Sequence, residues 1–259
     1  MRGPRWTVKN SLLLPLIVNR KVLRQITALQ TSIDMALFRA KVKALFIQEL
    51  LLMSNYLVLL RHGQSQWNLD NKFTGFYDAE LTEQGIAEAK AAGELLKSAN
   101  IDFDQVFTST LQRANITARL ALEAAGQDDL IDSMLMHDDL RERDYGDLVG
   151  LNKDETREKY GDEQVHIWRR SYDTRPPGGE CLKDVVENRV RPYYEANIKP
   201  MIDNGKNVLI AAHGNSLRAM LIILGVETPY TINDAEFGTG VPLVFELEGG
   251  EIKKRYFLK

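Results

Sequence analysis

Two short apolar runs in this chain end in the same dipeptide. Tyr56-Leu57-Val58-Leu59-Leu60 leads into Arg61-His62-Gly63, and Asn207-Val208-Leu209-Ile210-Ala211-Ala212 leads into His213-Gly214. Each run has the length and composition of a buried strand. In an open α/β sheet, ligands collect at the carboxyl ends of the strands, where the following helices present their amino ends. If both strands lie parallel in one sheet, His62 and His213 share that rim, and each glycine lets the backbone approach a ligand closely. No His-x-x-x-His pair and no third ligand of suitable spacing accompany them, so no metal site is expected. A neutral imidazole is instead a nucleophile toward phosphorus and can carry the phosphoryl group covalently. Such chemistry also needs cations for three charged oxygens and a proton donor for the leaving oxygen. Arg61 and Arg113 offer guanidinium forks that match phosphate oxygens in pairs.

The elements that must position these groups alternate in type. Thr82 is placed to cap a helix over roughly 83–98, with Ile86, Ala89, Ala92 and Leu96 on one face. A second strand, Gln105-Val106-Phe107-Thr108, leads into Ser109-Thr110-Leu111-Gln112, which fits the capping box of a helix running to about Ala125 and ended by Gly126. Arg113 then falls in that helix's first turn. Residues 140–175 are charged and partly helical, broken at Gly146, Gly150 and Gly161, and Pro176-Pro177-Gly178-Gly179 reads as a loop. A helix near 182–200 precedes the strand that ends at His213, and an apolar helix from about Ser216 to Leu224 follows it. Val244–Leu247 and Lys254–Leu258 read as a closing hairpin. The β-α order predicts an α/β fold, a three-layer α/β/α sandwich with a mainly parallel sheet, over residues 53–259.

Composition bounds the partners. The 259 residues carry a formal charge of −3, but residues 1–52 are +7 and the remainder is −10. An acidic body argues against nucleic acid as a partner, and no apolar run approaches the ~18 residues of a membrane span. A lone cysteine, Cys181, excludes an internal disulfide and fits a reducing, cytoplasmic setting. The basic segment 1–52 lacks a clear signal-peptide cleavage site. It reads as sequence upstream of a working start at Met53, with an organelle transit segment or a packed helical extension as the open alternatives.

Longer blocks extend the pattern. Arg61-His62-Gly63-Gln64-Ser65-Gln66-Trp67-Asn68 is followed by Phe73-Thr74-Gly75-Phe76-Tyr77-Asp78 and by Thr108-Ser109 with Arg113. Further on stand Leu140-Arg141-Glu142-Arg143-Asp144-Tyr145-Gly146, Gly150-Leu151-Asn152-Lys153, Tyr160–Val165 and Trp168-Arg169-Arg170. Ala211–Arg218 and Gly240–Val244 close the series. Together these resemble the histidine phosphatase superfamily. The blocks around Glu142, Lys153 and Arg169-Arg170 are similar to its cofactor-dependent phosphoglycerate mutase branch, whose primer is 2,3-bisphosphoglycerate. The resemblance implies that His62 is the phosphorylated nucleophile, that Arg61, Arg113 and His213 grip the phosphoryl group, and that Glu142 is the acid/base. It assigns substrate contacts to Gly63, Gln64, Ser65, Asn68, Thr74, Gly75, Arg143, Tyr145, Lys153, Arg169, Arg170, Gly214 and Asn215. The partners it implies are a small phosphorylated metabolite and, as an open question, a second copy of the chain.

Two departures from that branch bear on closure of the site. The loop reading Gly178-Gly179-Glu180-Cys181 is shorter than in the longer bacterial mutases and closer to the phosphatase-like connection. No mobile tail follows Lys259. A phosphatase, which passes the phosphoryl group to water, and a regulatory protein that binds a phosphorylated ligand without turnover are the rival readings. Trp67 is expected to pack beside the site. His137, His166 and Cys181 carry no expected role, and Gly178-Gly179 reads as a turn.

Overall fold

The computed structural model describes residues 54–259, with Val42 alone from the segment before them, so the expectations for segment 1–52 lie outside the described residues. In chain order the elements are β1 (Ser54–Arg61), α1 (Gln66–Leu69), α2 (Glu83–Ser98), β2 (Gln105–Ser109), α3 (Gln112–Ala125) and β3 (Leu135–His137). Helices α4 (Lys153–Tyr160) and α5 (Asp162–Arg170) follow, then a helical run over 182–203, here α6. Strand β4 (Val208–Ala212), helix α7 (Gly214–Ile223) and the hairpin β5 (Pro242–Glu248) and β6 (Glu251–Phe257) complete the domain.

One six-stranded sheet has the order β3-β2-β4-β1-β5-β6. β1, β2, β3 and β4 run parallel, while β5 pairs antiparallel with β1 and with β6. The sheet is mainly parallel, as the β-α order predicts. Alternation along β1 divides its apolar side chains between two cores, because successive residues of a strand face opposite sides. Leu57 and Leu59 pack with Val185, Val190 and Ile198 of α6 and Leu217 of α7. Val58 and Leu60 pack with Ala92 and Leu96 of α2 and Ala118 and Leu122 of α3. These are the three layers of the expected sandwich. A third, small cluster of Phe73, Leu148 and Val165 lies under the charged segment. Among the described residues no helix is long and apolar enough to cross a membrane.

Three local expectations are corrected. Ile86 is 37% exposed, and the buried stripe of α2 is made of Gly85, Ala89, Ala92, Gly93 and Leu96. Small residues face inward there because α2 and α3 approach closely; a Cβ on Gly93 would stand 2.2 Å from the Ala121 carbonyl oxygen. The capping box at Ser109 does not form. Ser109 Oγ accepts from Leu111 N–H (3.1 Å), and the free Gln112 N–H at the start of α3 donates to Asp78 Oδ1 (2.8 Å), a cap from a distant loop. Strand β3 has no sequence signature, since it is a three-residue edge strand whose side chains are all exposed. Within α6, the turns Val185–Val190 and Tyr194–Ile198, on either side of Pro192, bond i→i+5. A proline has no N–H to donate, and the widened turns accommodate that loss.

The α2–α3 contact yields a stability prediction. Gly93→Ala forces a methyl group into the Ala121 backbone and is expected to cost about 1–3 kcal/mol. Thermal denaturation should show a Tm lower by roughly 2–4 °C for each kcal/mol lost. An unchanged Tm would mean the two helices are not held at this separation.

Candidate active site

Register places the two histidines. β1 and β4 pair with Arg61 opposite Ala212, and the ladder ends with His62 N–H donating to the Ala212 carbonyl (3.0 Å). The His62 and His213 rings therefore stand side by side, centroids 5.0 Å apart and tilted by 58°. Both are buried. His62 Nδ1 lies 2.7 Å from the Gly63 carbonyl oxygen, which can only accept, so the ring proton sits on Nδ1 and Nε2 keeps its lone pair. Burial, then the Arg113 and Arg61 charges, hold the His62 pKa well below the ordinary imidazole value. Burial and the Arg113 charge do the same for His213. Both rings are neutral near pH 7, and neither ring nitrogen of His213 has a hydrogen-bond partner among the described residues.

The loop after His62 is fixed from behind. Gly63 and Gly85 meet backbone to backbone, a Cβ on either coming within 2.1 Å of a carbonyl oxygen, so neither position admits a side chain. Gly63 N–H donates to Thr117 Oγ1 and Gln64 N–H to Glu88 Oε2, while the Gln64 side chain accepts from Thr82. Ser65 caps α1 in a reciprocal capping box with Asn68.

Around the rim, Arg113 is 1% exposed and donates Nη1 to Tyr77 O (2.8 Å) and Nη2 to Gly75 O (2.9 Å), which aims its fork. Burial pulls its pKa down to about 10. Arg61 donates Nη1 to Phe237 O (2.8 Å), and its buried Nε has no partner among the described residues. Glu142 Oε1 accepts from Arg143 N–H (2.7 Å) and from both the backbone and the side-chain nitrogen of Asn215 (3.2 and 2.9 Å). Its Oε2 lies beside Gly214, within 3.7 Å of where a Cβ would be.

A cleft of about 170 Å³ opens above these groups. Of the residues expected to contact substrate, Asn68, Thr74, Gly75, Tyr145, Lys153, Arg169, Arg170, Gly214 and Asn215 line it together with Arg61 and Glu142. Gly63, Gln64, Ser65 and Arg143 do not line it, and the bonds above tie the first three to the protein itself. Arg143 is fully buried, donates Nη2 to Arg169 O (3.0 Å) and lies 4.6 Å from the Tyr145 ring centroid. His62, His213 and Arg113 do not line the cleft either; each adjoins a lining residue, the histidines in sequence (Arg61 and Gly214) and Arg113 through its bond to the Gly75 carbonyl. Lys72, Phe73, Arg218 and Phe237 also line the cleft; Phe73 and Arg218 stood in the matched blocks without an assigned role, and Lys72 and Phe237 in none. Arg218 follows Asn215 by three residues on α7, a spacing that puts both on one helix face and could have exposed it. Trp67 does pack beside the site, stacked on Tyr77 with centroids 3.7 Å apart.

The cleft lining has six cations, Arg61, Lys72, Lys153, Arg169, Arg170 and Arg218, against one carboxylate, Glu142. Burial, followed by Arg169, pulls the Lys153 ammonium down to about 8, and burial with Arg170 pulls Arg218 down to about 10. Burial would raise the Tyr145 phenol, but the Arg143 and Arg169 charges outweigh it and leave it below its ordinary value. Such mutual repulsion is relieved by a multiply charged anion. Chemically, the site can hold a polyanion over a neutral, oriented imidazole with a carboxylate alongside.

Known proteins resemble this chain in sequence and fold. The family model of the histidine phosphatase superfamily (branch 1) matches residues 57–253. Among curated relatives, a 2,3-bisphosphoglycerate-dependent phosphoglycerate mutase of Methylocella silvestris is 56% identical over 196 residues, 76% of this chain and 94% of its own. The enzyme of the same name from Parvibaculum lavamentivorans is 51% identical over 209 residues, covering 80% and 98%. Among solved structures, a mycobacterial glucosyl-3-phosphoglycerate phosphatase in complex with VO3 superimposes with a TM-score of 0.66 at 25% identity, covering 78% of this chain and 97% of that one. With the matched region running from β1 into the closing hairpin, and identities above one half along most of the sequence, this chain belongs to the histidine phosphatase superfamily.

Proposed function

We propose that this chain is a phosphoglycerate mutase, an isomerase that interconverts 3-phosphoglycerate and 2-phosphoglycerate in glycolysis and gluconeogenesis. The phosphoryl group rides on His62, and the protein works in the cytoplasm. One observation carries the reading: a neutral imidazole whose Nδ1 is bound by the Gly63 carbonyl directly follows Arg61, one of six cations that line a cleft with a single carboxylate. The mutase names of relatives above 50% identity support it.

The donor set fits 2,3-bisphosphoglycerate, since the unpartnered Arg61 Nε and the crowded cations match its two phosphates and carboxylate. When bound, that primer supplies the first phosphoryl group. His62 Nε2 forms the N–P bond as the P–O bond to the sugar acid breaks. Glu142 Oε2 gives the leaving oxygen its proton and takes one from the attacking hydroxyl when the phosphoryl group returns. Arg61 and Arg113 hold the equatorial oxygens, and His213, neutral and able to donate a ring N–H, stabilises their charge in the transition state. Lys153, Arg169, Arg170 and the newly found Arg218 hold the carboxylate and the second phosphate. No residue is assigned to a metal. A second reading, a phosphatase on a small phosphorylated metabolite, draws on the structural likeness to a phosphatase.

The two readings part in one assay. Isomerisation of 3-phosphoglycerate is expected only after trace 2,3-bisphosphoglycerate is added, unaffected by a chelator and much faster than release of inorganic phosphate. Phosphate release matching or exceeding isomerisation would replace the mutase by the phosphatase. His62→Ala should abolish uptake of labelled phosphoryl group into the protein, and uptake by that variant would remove the nucleophile from the account. Glu142→Gln is expected to lower kcat by about 10²–10⁴-fold with little change in KM.

Lys153 supplies a pH test. Its ammonium loses its proton at about pH 8 in the free protein, so raising the pH through that value removes one cation from the cleft. The KM for 3-phosphoglycerate is expected to rise above about pH 8, and Lys153→Arg, which stays charged, should flatten the rise. An identical rise in the variant would assign the titration to another group.

A further inference from the structure

Residues 141–145, which carry Glu142, belong to no strand or helix and lie between two short turns, Asp138–Leu140 and Gly146–Leu148. No backbone ladder fixes them. Among the side chains that bond to their backbone, one on α6 makes the most bonds. Arg189, 12% exposed, donates Nε to Glu180 Oε1 (2.9 Å) and Nη2 to Glu180 Oε2 (2.8 Å), a two-pronged pairing that sets the plane of its guanidinium. The same guanidinium reaches the carbonyls of Asp139 and Arg141 through Nη1 (both 3.3 Å) and that of Glu142 through Nη2 (3.3 Å). Glu180 in turn accepts from Asp144 N–H (2.9 Å) and donates its own N–H to Asp144 O (2.9 Å). The Arg189–Glu180 pair thus grips the chain on both sides of Glu142. Arg189 itself stands on the widened turn Val185–Val190 and does not line the cleft.

From this we infer that Arg189 is the positioning residue for Glu142, fixing through Glu180 where that carboxylate meets the substrate hydroxyl. The inference rests on the proposed role of Glu142 as acid/base. Glu142 Oε1 is already committed to Arg143 N–H and Asn215, so the free Oε2 can be aimed only by moving the backbone to which the side chain belongs. Arg189 holds that backbone at the carbonyls of Arg141 and Glu142 and the turn before it at those of Asp138 and Asp139, and only a rigid fork with five donors can pair with a carboxylate and still reach them. A lysine, with one nitrogen, cannot do both. Phe76 adds a second tie: its ring lies 4.4 Å from the Arg141 guanidinium and 5.5 Å from that of Arg189, joining the Glu142 segment to the loop that bears Thr74 and Gly75.

The test uses the full chain, primed and supplied with 3-phosphoglycerate. A misplacement of about 1 Å costs a reaction on the order of 10²-fold. Arg189→Met is therefore expected to lower kcat by roughly 10–100-fold with KM within about two-fold, since no substrate-holding cation is touched. Glu180→Gln should lose part of the same factor. Placed on a Glu142→Gln background, Arg189→Met should remove less than about two-fold more, because the group it positions no longer exchanges a proton. An equal fold-loss on both backgrounds, a rise in KM that accounts for the loss, or an undiminished kcat would each overturn the inference. Should Arg189→Met fail to fold, Arg189→Lys keeps the charge and stem and carries the same comparison. Failure of the mutase reading would show in the unaltered chain as no isomerisation after priming, and would take this inference with it. Failure of the inference alone shows only in the variants.

Discussion

Strand β1 lies beside β4 with Arg61 opposite Ala212, and the geometry of the site follows from that pairing. Both strands are buried on both faces, so their side chains are committed to two different cores. A slip of one residue would send Leu57 and Leu59 to the α2–α3 side and would carry the His62 ring away from His213. The hydrophobic cores therefore specify the distance between two imidazoles that contribute little to those cores. The closing antiparallel strand β5, paired with β1 from Ser54 to Leu60, guards the same register from the other edge.

On this frame sits a charge arrangement that folding alone would not favour. Six cations share a cleft with one carboxylate, and two further guanidiniums, Arg113 and Arg143, are buried without a salt bridge among the described residues. Desolvation penalises each of them. Arg113 offsets part of that with two backbone carbonyls, while Arg143 keeps two unpartnered nitrogens and the face of Tyr145. Such a site holds electrostatic strain that a polyanion relieves, which is the usual trade of stability for function. Stability comes from elsewhere, chiefly the close α2–α3 contact and the two apolar layers.

Local pattern made the strand ends legible, and the family resemblance supplied four of the six cleft cations, Arg61, Lys153, Arg169 and Arg170. Apolar runs ending in His-Gly announce a strand and its rim, and a helix that ends at Gly126 announces itself through a left-handed glycine. What stayed hidden depends on long-range contact. The cap of α3 comes from Asp78, 34 positions away, so the local Ser109-to-Gln112 pattern pointed to the wrong group. Ile86 obeyed the helical period yet faces outward, because the approach of α3 selects small side chains and not large apolar ones. Gly63, Gln64 and Ser65 stood in the right motif, but their hydrogen bonds serve the loop that aims His62. Arg189 and Glu180 lie nine residues apart in unlike elements, and only the fold brings them against Glu142.

The fold is shared with solved hydrolases at TM-scores of 0.64 and 0.66 and about one quarter identity. Under the proposed reading, the shared scaffold cannot decide whether a phosphoryl group carried by the protein passes to an alcohol or to water. That choice falls to the segment between β3 and α6, which sits off the sheet over its own small core of Phe73, Leu148 and Val165. It supplies Glu142, Tyr145, Lys153, Arg169 and Arg170, the groups that under the proposed reading retain a bisphosphorylated acid while it turns. A hydrolase needs to hold only the transferring group and can release the rest. A mutase must hold both ends, so under that reading the cations of this segment are where the two chemistries separate, and the Arg189–Glu180 clamp joins the segment to α6.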